Sequence, residues 1–192
     1  MMWRFRDIDR QKARFLADAL GQPLKVGEFL AARGFSDAGE VRSFIKADIK
    51  DLPGPLTFTD MDKAAERIRV AREEDQLVAV CGDYDADGLT ASALLAMGLK
   101  ELGHRVTVRI PNRLTDGYGL RPGVIEELAG QGASLIVTVD NGIADHQAVS
   151  AATEAGLDVI ITDHHKLPPQ LPSALAIINP HRDSVWSQAP LA

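Results

Sequence analysis

Apolar residues follow two rhythms along this chain, and the change of rhythm divides it. Over the first fifty residues the spacing is that of short helices. Asp9 stands where it caps a helix running to about Leu20, with Gly21 as the stop. A second helix is predicted from Leu24 to about Ala32, ending near Gly34. A third starts at Ser36 and turns Val41, Phe44 and Ile45 inward. The run Asp51-Leu52-Pro53-Gly54-Pro55 then gathers helix breakers.

From Asp60 onward helical and strand-like patterns alternate. Thr59 or Asp60 caps a helix whose buried stripe is Met61, Ala64, Ala65, Ile68 and Ala71. Leu77–Cys81, Val106–Ile110, Leu135–Val139, Val159–Ile161 and Leu175–Ile178 are short apolar runs suited to buried strands. Between them the pattern predicts helices over Thr90–Leu102, from Pro122 to about Gly130, and from a cap at Asp145 to Gly156. Strands separated by helices imply right-handed crossovers and a parallel sheet. The expected fold is a three-layer α/β domain over 59–192 with a mainly parallel five-stranded sheet. A short helical segment with its linker, 1–58, precedes it.

Composition narrows this picture without changing it. The 192 residues are 45% hydrophobic and 25% charged, an ordinary globular balance. No apolar run approaches the ~18 residues of a membrane span. The N-terminus, Met1-Met2-Trp3-Arg4-Phe5-Arg6-Asp7, is too charged for a signal peptide. The single cysteine, Cys81, excludes an internal disulfide and suits a reducing compartment. A cytoplasmic location with no membrane association is expected. Charge matters more. The net charge of −6 is concentrated after residue 60, where 18 acids face 11 bases. Five of those acids, Asp83, Asp85, Asp87, Asp140 and Asp163, sit at predicted strand ends. Two divalent cations there would offset about four negative charges, so an acidic balance does not exclude a phosphate-bearing substrate.

Three strands finish in the same chemical way. The first runs into Asp83-Tyr84-Asp85-Ala86-Asp87-Gly88, the third into Asp140-Asn141-Gly142, the fourth into Asp163-His164-His165. Ligands of open parallel sheets bind beyond the carboxyl ends of the strands. Carboxylates and imidazoles from three distant segments would meet there, and like charges so gathered call for a cation. Oxygen and imidazole donors without thiolate suit Mn²⁺ or Mg²⁺. Gly88 and Gly142 would let the backbone turn sharply, and the helix after Gly88 would aim free N–H groups at the crevice. Plainer readings compete. Asp83-x-Asp85-x-Asp87-Gly88 begins like a calcium loop, but Leu94 stands where that loop needs an acid. Strand-ending aspartates also cap helices, which is the plain reading of Asp145 and an alternative for Asp83 and Asp163. His104, His146 and His181 lack such company and read as surface residues, Cys81 as a small buried hydrophobe, and Trp186 as a packing residue.

Asp83-Tyr84-Asp85-Ala86-Asp87-Gly88, Val139-Asp140-Asn141-Gly142 and Asp163-His164-His165 resemble the first three motifs of the DHH phosphoesterase superfamily. Ile110-Pro111-Asn112-Arg113, Asp116-Gly117-Tyr118-Gly119-Leu120, Leu52-Pro53, Asp60-Met61-Asp62-Lys63-Ala64 and Ile178-Asn179-Pro180 look like its RecJ branch, over about residues 25 to 180. The resemblance implies the N-terminal part of a single-strand-specific DNA exonuclease of repair and recombination, working from the 5′ end with Mn²⁺ or Mg²⁺, two ions in the complete enzyme. Carried over by position, Asp85, Asp87, Asp140 and His164 would be metal ligands. His165 would be a nearby ligand or a contact to phosphate and water, with Asp83 and Asp163 as supporting groups. Arg113 could hold a backbone phosphate and Tyr118 could stack on a base; the alternative is a loop shaped by Gly117 and Gly119. Cys81 stands where some members carry His. The family continues into a fourth acidic motif and a second lobe, so the resemblance implies a truncated chain with an incomplete metal set. Single-stranded DNA is the implied partner, and no residue specifies a single-strand-binding or repair protein.

Three rivals stand beside this reading. One is a family member acting on short oligonucleotides, cyclic dinucleotides or pyrophosphate. A haloacid-dehalogenase-type phosphatase is suggested by Asp85-x-Asp87-Gly88, but has no use for Asp163-His164-His165. The third is a catalytically silent binding module, which need not bind metal.

Overall fold

Asp9 accepts hydrogen bonds from the backbone N–H groups of Gln11 and Lys12, and this cap opens α1 (Arg10–Leu20). Gly21 closes it in the left-handed conformation. The computed structural model describes residues 7–46, 48, 50, 53–112 and 119–183, divided into the units Met1–Pro53 and Gly54–Ala192. In the first unit α1 is followed by α2 (Leu24–Ala32) and α3 (Ala38–Lys46) around Leu16, Leu30, Phe35 and Val41. Two sequence expectations fail in α3. Asp37, not Ser36, caps it, its carboxylate accepting from Glu40 N–H at 2.9 Å. Phe44 and Ile45 stay half or more exposed, because Phe35 from the preceding loop fills the small core beside Val41.

The second unit places α4 (Met61–Glu73), α5 (Ala86–Glu101), α6 (Pro122–Gly130) and α7 (His146–Glu154) about a sheet. Its strands are β1 (Leu77–Gly82), β2 (Arg105–Arg109), β3 (Ala133–Val139), β4 (Asp158–Thr162) and β5 (Ala176–Ile178). They pair in the order β2-β1-β3-β4-β5, and every pairing is parallel rather than mainly so. The core forms two layers because side chains alternate across each strand. Leu135, Val137 and Ile160 pack with Ala64, Ala71, Ala96 and Leu99 of α4 and α5. Ile136, Val159 and Ile161 pack on the other face with Ile125, Leu128, Val149 and Ala152 of α6 and α7. The order reverses between β1 and β3, and such a switch opens a crevice beyond the carboxyl ends of those strands.

Four further differences separate the structure from the sequence expectations. Helix α5 begins at Ala86, four residues before the expected Thr90, because Asp85 caps it. Ala65 is exposed, and only Ala64 and Ala71 of the expected α4 stripe are fully buried. Asp60 and Asp145 hold the N-cap positions of α4 and α7 but give no capping hydrogen bond, since other partners take their carboxylates. His104 is buried, not superficial, and burial and the Arg72 charge hold its pKa below the ordinary histidine value. His146 and His181 are exposed, Cys81 is buried, and Trp186 lies outside the described residues. Among the described residues no helix is long and apolar enough to cross a membrane.

Candidate metal centre

The end of β1 supplies the first acids. Asp83 is buried, and its Oδ1 accepts from Tyr84 N–H at 2.7 Å. Asp85 Oδ1 accepts from Gly88 N–H at 3.0 Å, fixing the first turn of α5. Gly88 is required here for space, not for a turn. A Cβ on it would lie 2.5 Å from both the N and the O of Asp83. Asp87 sits exposed in that first turn.

The end of β3 supplies Asp140, a non-glycine residue in the left-handed region at φ 62°. Such a backbone conformation is uncommon outside glycine and needs surrounding contacts to hold it. Those contacts are present. Asp140 N–H donates to Thr162 O at 3.0 Å, and the buried Asn141 donates its amide to Val139 O at 3.2 Å. Thr138 Oγ1 donates to Asn141 O at 2.8 Å, and Gly142, at φ 103°, makes the turn the sequence anticipated. The end of β4 supplies Asp163, His164 and His165. The buried Asp163 carboxylate accepts from Ile143 N–H at 3.1 Å and His165 N–H at 3.0 Å, and lies 2.7 Å from His165 Nδ1. An Nδ1–H donated to Asp163 leaves the lone pair of the neutral ring on Nε2. Asn179, fully buried after β5, donates to His165 O at 2.9 Å.

These segments converge on Asp140. Potential ligand atoms of Asp140, His164 and His165 lie within 4.8 Å of one another, as do those of Asp83, Asp85 and Asp140. Asp87 belongs to neither group, but lines a cleft of about 490 Å³ with Thr90, Leu94, Asp140, Thr162 and His164. Burial, and after it the Asp85 charge, raises the Asp140 pKa above the usual carboxylate value, against the pull of His164 and His165. Burial opposes protonation of His165, but the Asp163 hydrogen bond and charge outweigh it, so its pKa is raised. His164 Nε2 lies 2.9 Å from Asp140 Oδ1, yet that buried oxygen accepts no hydrogen bond among the described residues. A close N···O approach without a hydrogen bond is what two donors to one cation present. It is also near the ~3 Å between neighbouring ligands of an octahedral ion with bonds of about 2.1 Å. The donor set therefore fits a hard divalent cation. Cys81 does not join it, because burial pushes its thiol up to about 12.

Asn141, Asn179, Thr138 and Thr162 support the centre and carried no functional expectation in the sequence. Asn141 and Asn179 do stand beside recognisable motif residues, which was the available signal. Arg113 and Tyr118 lie outside the described residues.

Residues 77–192 match the model of the DHH family, N-terminal domain. The single-stranded-DNA-specific exonuclease RecJ of Bacillus subtilis is 37% identical over 180 residues, covering 94% of this chain and 23% of the relative. That of Salmonella typhimurium is 42% identical over 190 residues, covering 97% of this chain and 32% of the relative. The chain thus spans between 23% and 32% of these relatives. Among solved structures, RecJ in complex with Mn²⁺ from Thermus thermophilus aligns with a TM-score of 0.68 at 28% identity, covering 94% of this chain and 25% of that one. An exonuclease RecJ bound to manganese aligns with a TM-score of 0.61 at 35% identity, covering 73% of this chain and 34% of that one. With its DHH-type motifs gathered at the carboxyl ends of β1, β3 and β4, this chain belongs to the DHH family.

Proposed function

We propose that the centre serves metal-dependent hydrolysis of phosphodiester bonds in single-stranded DNA, exonucleolytic and from the 5′ end, in DNA repair and recombination. The observation that carries this reading is Asp140. It is a largely buried carboxylate, shared by both groups of donor atoms, with one oxygen that accepts no hydrogen bond among the described residues. The names of the relatives supply the substrate class, and the manganese in two of the solved relatives supports Mn²⁺ or Mg²⁺. The 5′ polarity rests on likeness to the RecJ branch.

Asp85, Asp140 and His164 are assigned as ligands, with Asp87 at the cleft wall as a fourth. Bound there, Mn²⁺ or Mg²⁺ would supply Lewis-acid charge on the phosphate and a more acidic water. The chain's own residues do the rest. Asp163 fixes the His165 ring, whose Nε2 would accept from the attacking water when the ring is neutral and donate to phosphate when it is protonated. Asp83 adds negative charge that retains the cation, and Asn179 holds the His165 backbone. Arg113 and Tyr118 are assigned to the DNA backbone and a base.

Asp85→Asn tests the assignment better than Asp85→Ala, because asparagine keeps the α5 cap while removing the charge. In the full-length protein this variant should lose Mn²⁺-dependent cleavage of 5′-labelled single-stranded DNA with its thermal midpoint nearly unchanged. Undiminished cleavage would remove Asp85 from the mechanism. A preference for dinucleotides over long strands would move the protein to another branch of the family.

A further inference from the structure

The cleft that holds Asp140 has a second side, which starts at the proposed ligand Asp87 and continues along α5. Asp87, Thr90, Ala91 and Leu94 all line it. Their spacing of three, four and seven residues places them on one stripe of α5. The stripe begins with a carboxylate beside the proposed metal centre and ends, about 10 Å further along the helix, with a leucine that is 77% exposed. Chemistry changes along it from charged to hydrocarbon. A nucleotide has the same polarity over a similar reach, from anionic phosphate to flat, largely apolar base. The cleft, at about 490 Å³, lies within the roughly 300–1,000 Å³ of small-ligand sites.

The hydrogen-bonding capacity of this side is limited. Thr90 is its one polar residue between Asp87 and Leu94, and its hydroxyl donates within α5, to Ala86 O at 2.8 Å. Ala91 and Leu94 offer only hydrocarbon. Such a surface gains contact with any sugar and base and has no donor in place for a base edge.

We infer that Thr90, Ala91 and Leu94 form a nucleoside-binding wall, on which the sugar and base of a nucleotide rest while its phosphate lies at Asp140 and His164. The wall holds the nucleoside by apolar contact and does not read base identity. This inference rests on the metal-centre reading above and adds to it a surface that positions the substrate.

The test uses this chain saturated with Mn²⁺, titrated calorimetrically with the four 2′-deoxynucleoside 5′-monophosphates and with inorganic phosphate. The four nucleotides should bind within about threefold of one another, and each more tightly than inorganic phosphate. Leu94→Ser should weaken nucleotide binding roughly tenfold and leave the affinities for Mn²⁺ and inorganic phosphate unchanged. Met97→Ser alters a residue that is 64% exposed on the same helix but outside the cleft, and should change none of the three. The wall is overturned if Leu94→Ser leaves the nucleotide-to-phosphate ratio intact, if Met97→Ser lowers it equally, or if one base is preferred more than about tenfold. Intact binding of Mn²⁺ and phosphate without any preference for nucleotides would sink the wall alone. Failure of the unaltered chain to bind Mn²⁺ would sink the metal-centre reading, and the wall with it.

Discussion

Two of the three aspartates with a left-handed backbone among the described residues have opposite surroundings. Asp60 at φ 65° and Asp140 at φ 62° both occupy the left-handed region, and both carboxylates are largely buried. Around Asp60 the chain provides its own cations. Arg182 Nη1 lies 2.8 Å away, Lys63 Nζ 2.9 Å, and Ile177 N–H donates at 3.3 Å. Burial alone would raise the Asp60 pKa, but these partners bring it down to about 2. Because Arg182 also donates to Ile177 O, the pair satisfies both backbone groups that Ile177 turns away from β4. It thereby closes the outer edge of β5 to further strands. Around Asp140 burial and then the Asp85 charge outweigh the pull of His164 and His165, and the pKa moves up instead. Its Oδ1 accepts no hydrogen bond among the described residues, although His164 Nε2 lies 2.9 Å away. The contrast teaches that backbone strain alone does not mark a functional site. A strained acid whose charge is neutralised from within is structural, whereas Asp140, gathered with Asp83 and Asp85 as well as His164, is a candidate for holding an external cation.

The comparison is most severely tested at Asp140. Asp140→Asn retains the left-handed backbone, which asparagine tolerates, and removes the charge. Mn²⁺ affinity by calorimetry should fall about 100-fold or more, while metal-free stability in urea should hold or rise because repulsion with Asp85 is gone. A clear loss of metal-free stability would make Asp140 a structural residue like Asp60. The reciprocal variant, Asp60→Asn, should lower stability by about 2 kcal/mol and leave Mn²⁺ affinity unchanged. A fall in metal affinity there would show that the two clusters are coupled.

The smallest effect is in pH, where the two residues act with opposite sign. The folded-state pKa of Asp60, about 2, lies below the ordinary 3.8. Its stabilisation is therefore complete above the ordinary value and is lost as pH falls toward 2. The Asp140 pKa is raised, so its charge destabilises the metal-free fold, and protonation on acidification relieves this. Urea titrations of metal-free protein should show the gap between wild type and Asp140→Asn closing as pH falls from 7 toward 4. The gap for Asp60→Asn should persist through that range and close only below it. Parallel closure of both gaps would mean that the two sites do not differ as described.

Much of this was legible in the sequence where the signal is local. Asp9 and Gly21 bound α1, and Pro122 opens α6, because caps and breakers act through neighbouring backbone groups. Alternating helices and apolar runs were enough for five strands and their parallel sense, since a crossover helix leaves little other choice. Three acidic strand ends were enough to expect a site at one edge of the sheet. Residues whose partners lie far along the chain were read wrongly or passed over. Asp145 looks like a helix cap, but accepts from Leu120 N–H at 2.6 Å instead. His104 looks superficial and is buried. Asn179 gave no hint that it holds the His165 carbonyl.

The same division runs through the site. By itself the sequence determined which residues are candidates for the chemistry, because oxygen and imidazole donors clustered at strand ends are a statement about residue type and spacing. Only the tertiary structure decided how they differ. It made Asp140 the shared donor, set Asp163 against His165, placed Asp85 as both cap and candidate ligand, and put Asp87 on the cleft wall with Leu94. The reason is physical. Burial, local charge and hydrogen-bond partnership depend on which strand ends are neighbours in space, and the strand order β2-β1-β3-β4-β5 that fixes this is a property of the packed sheet.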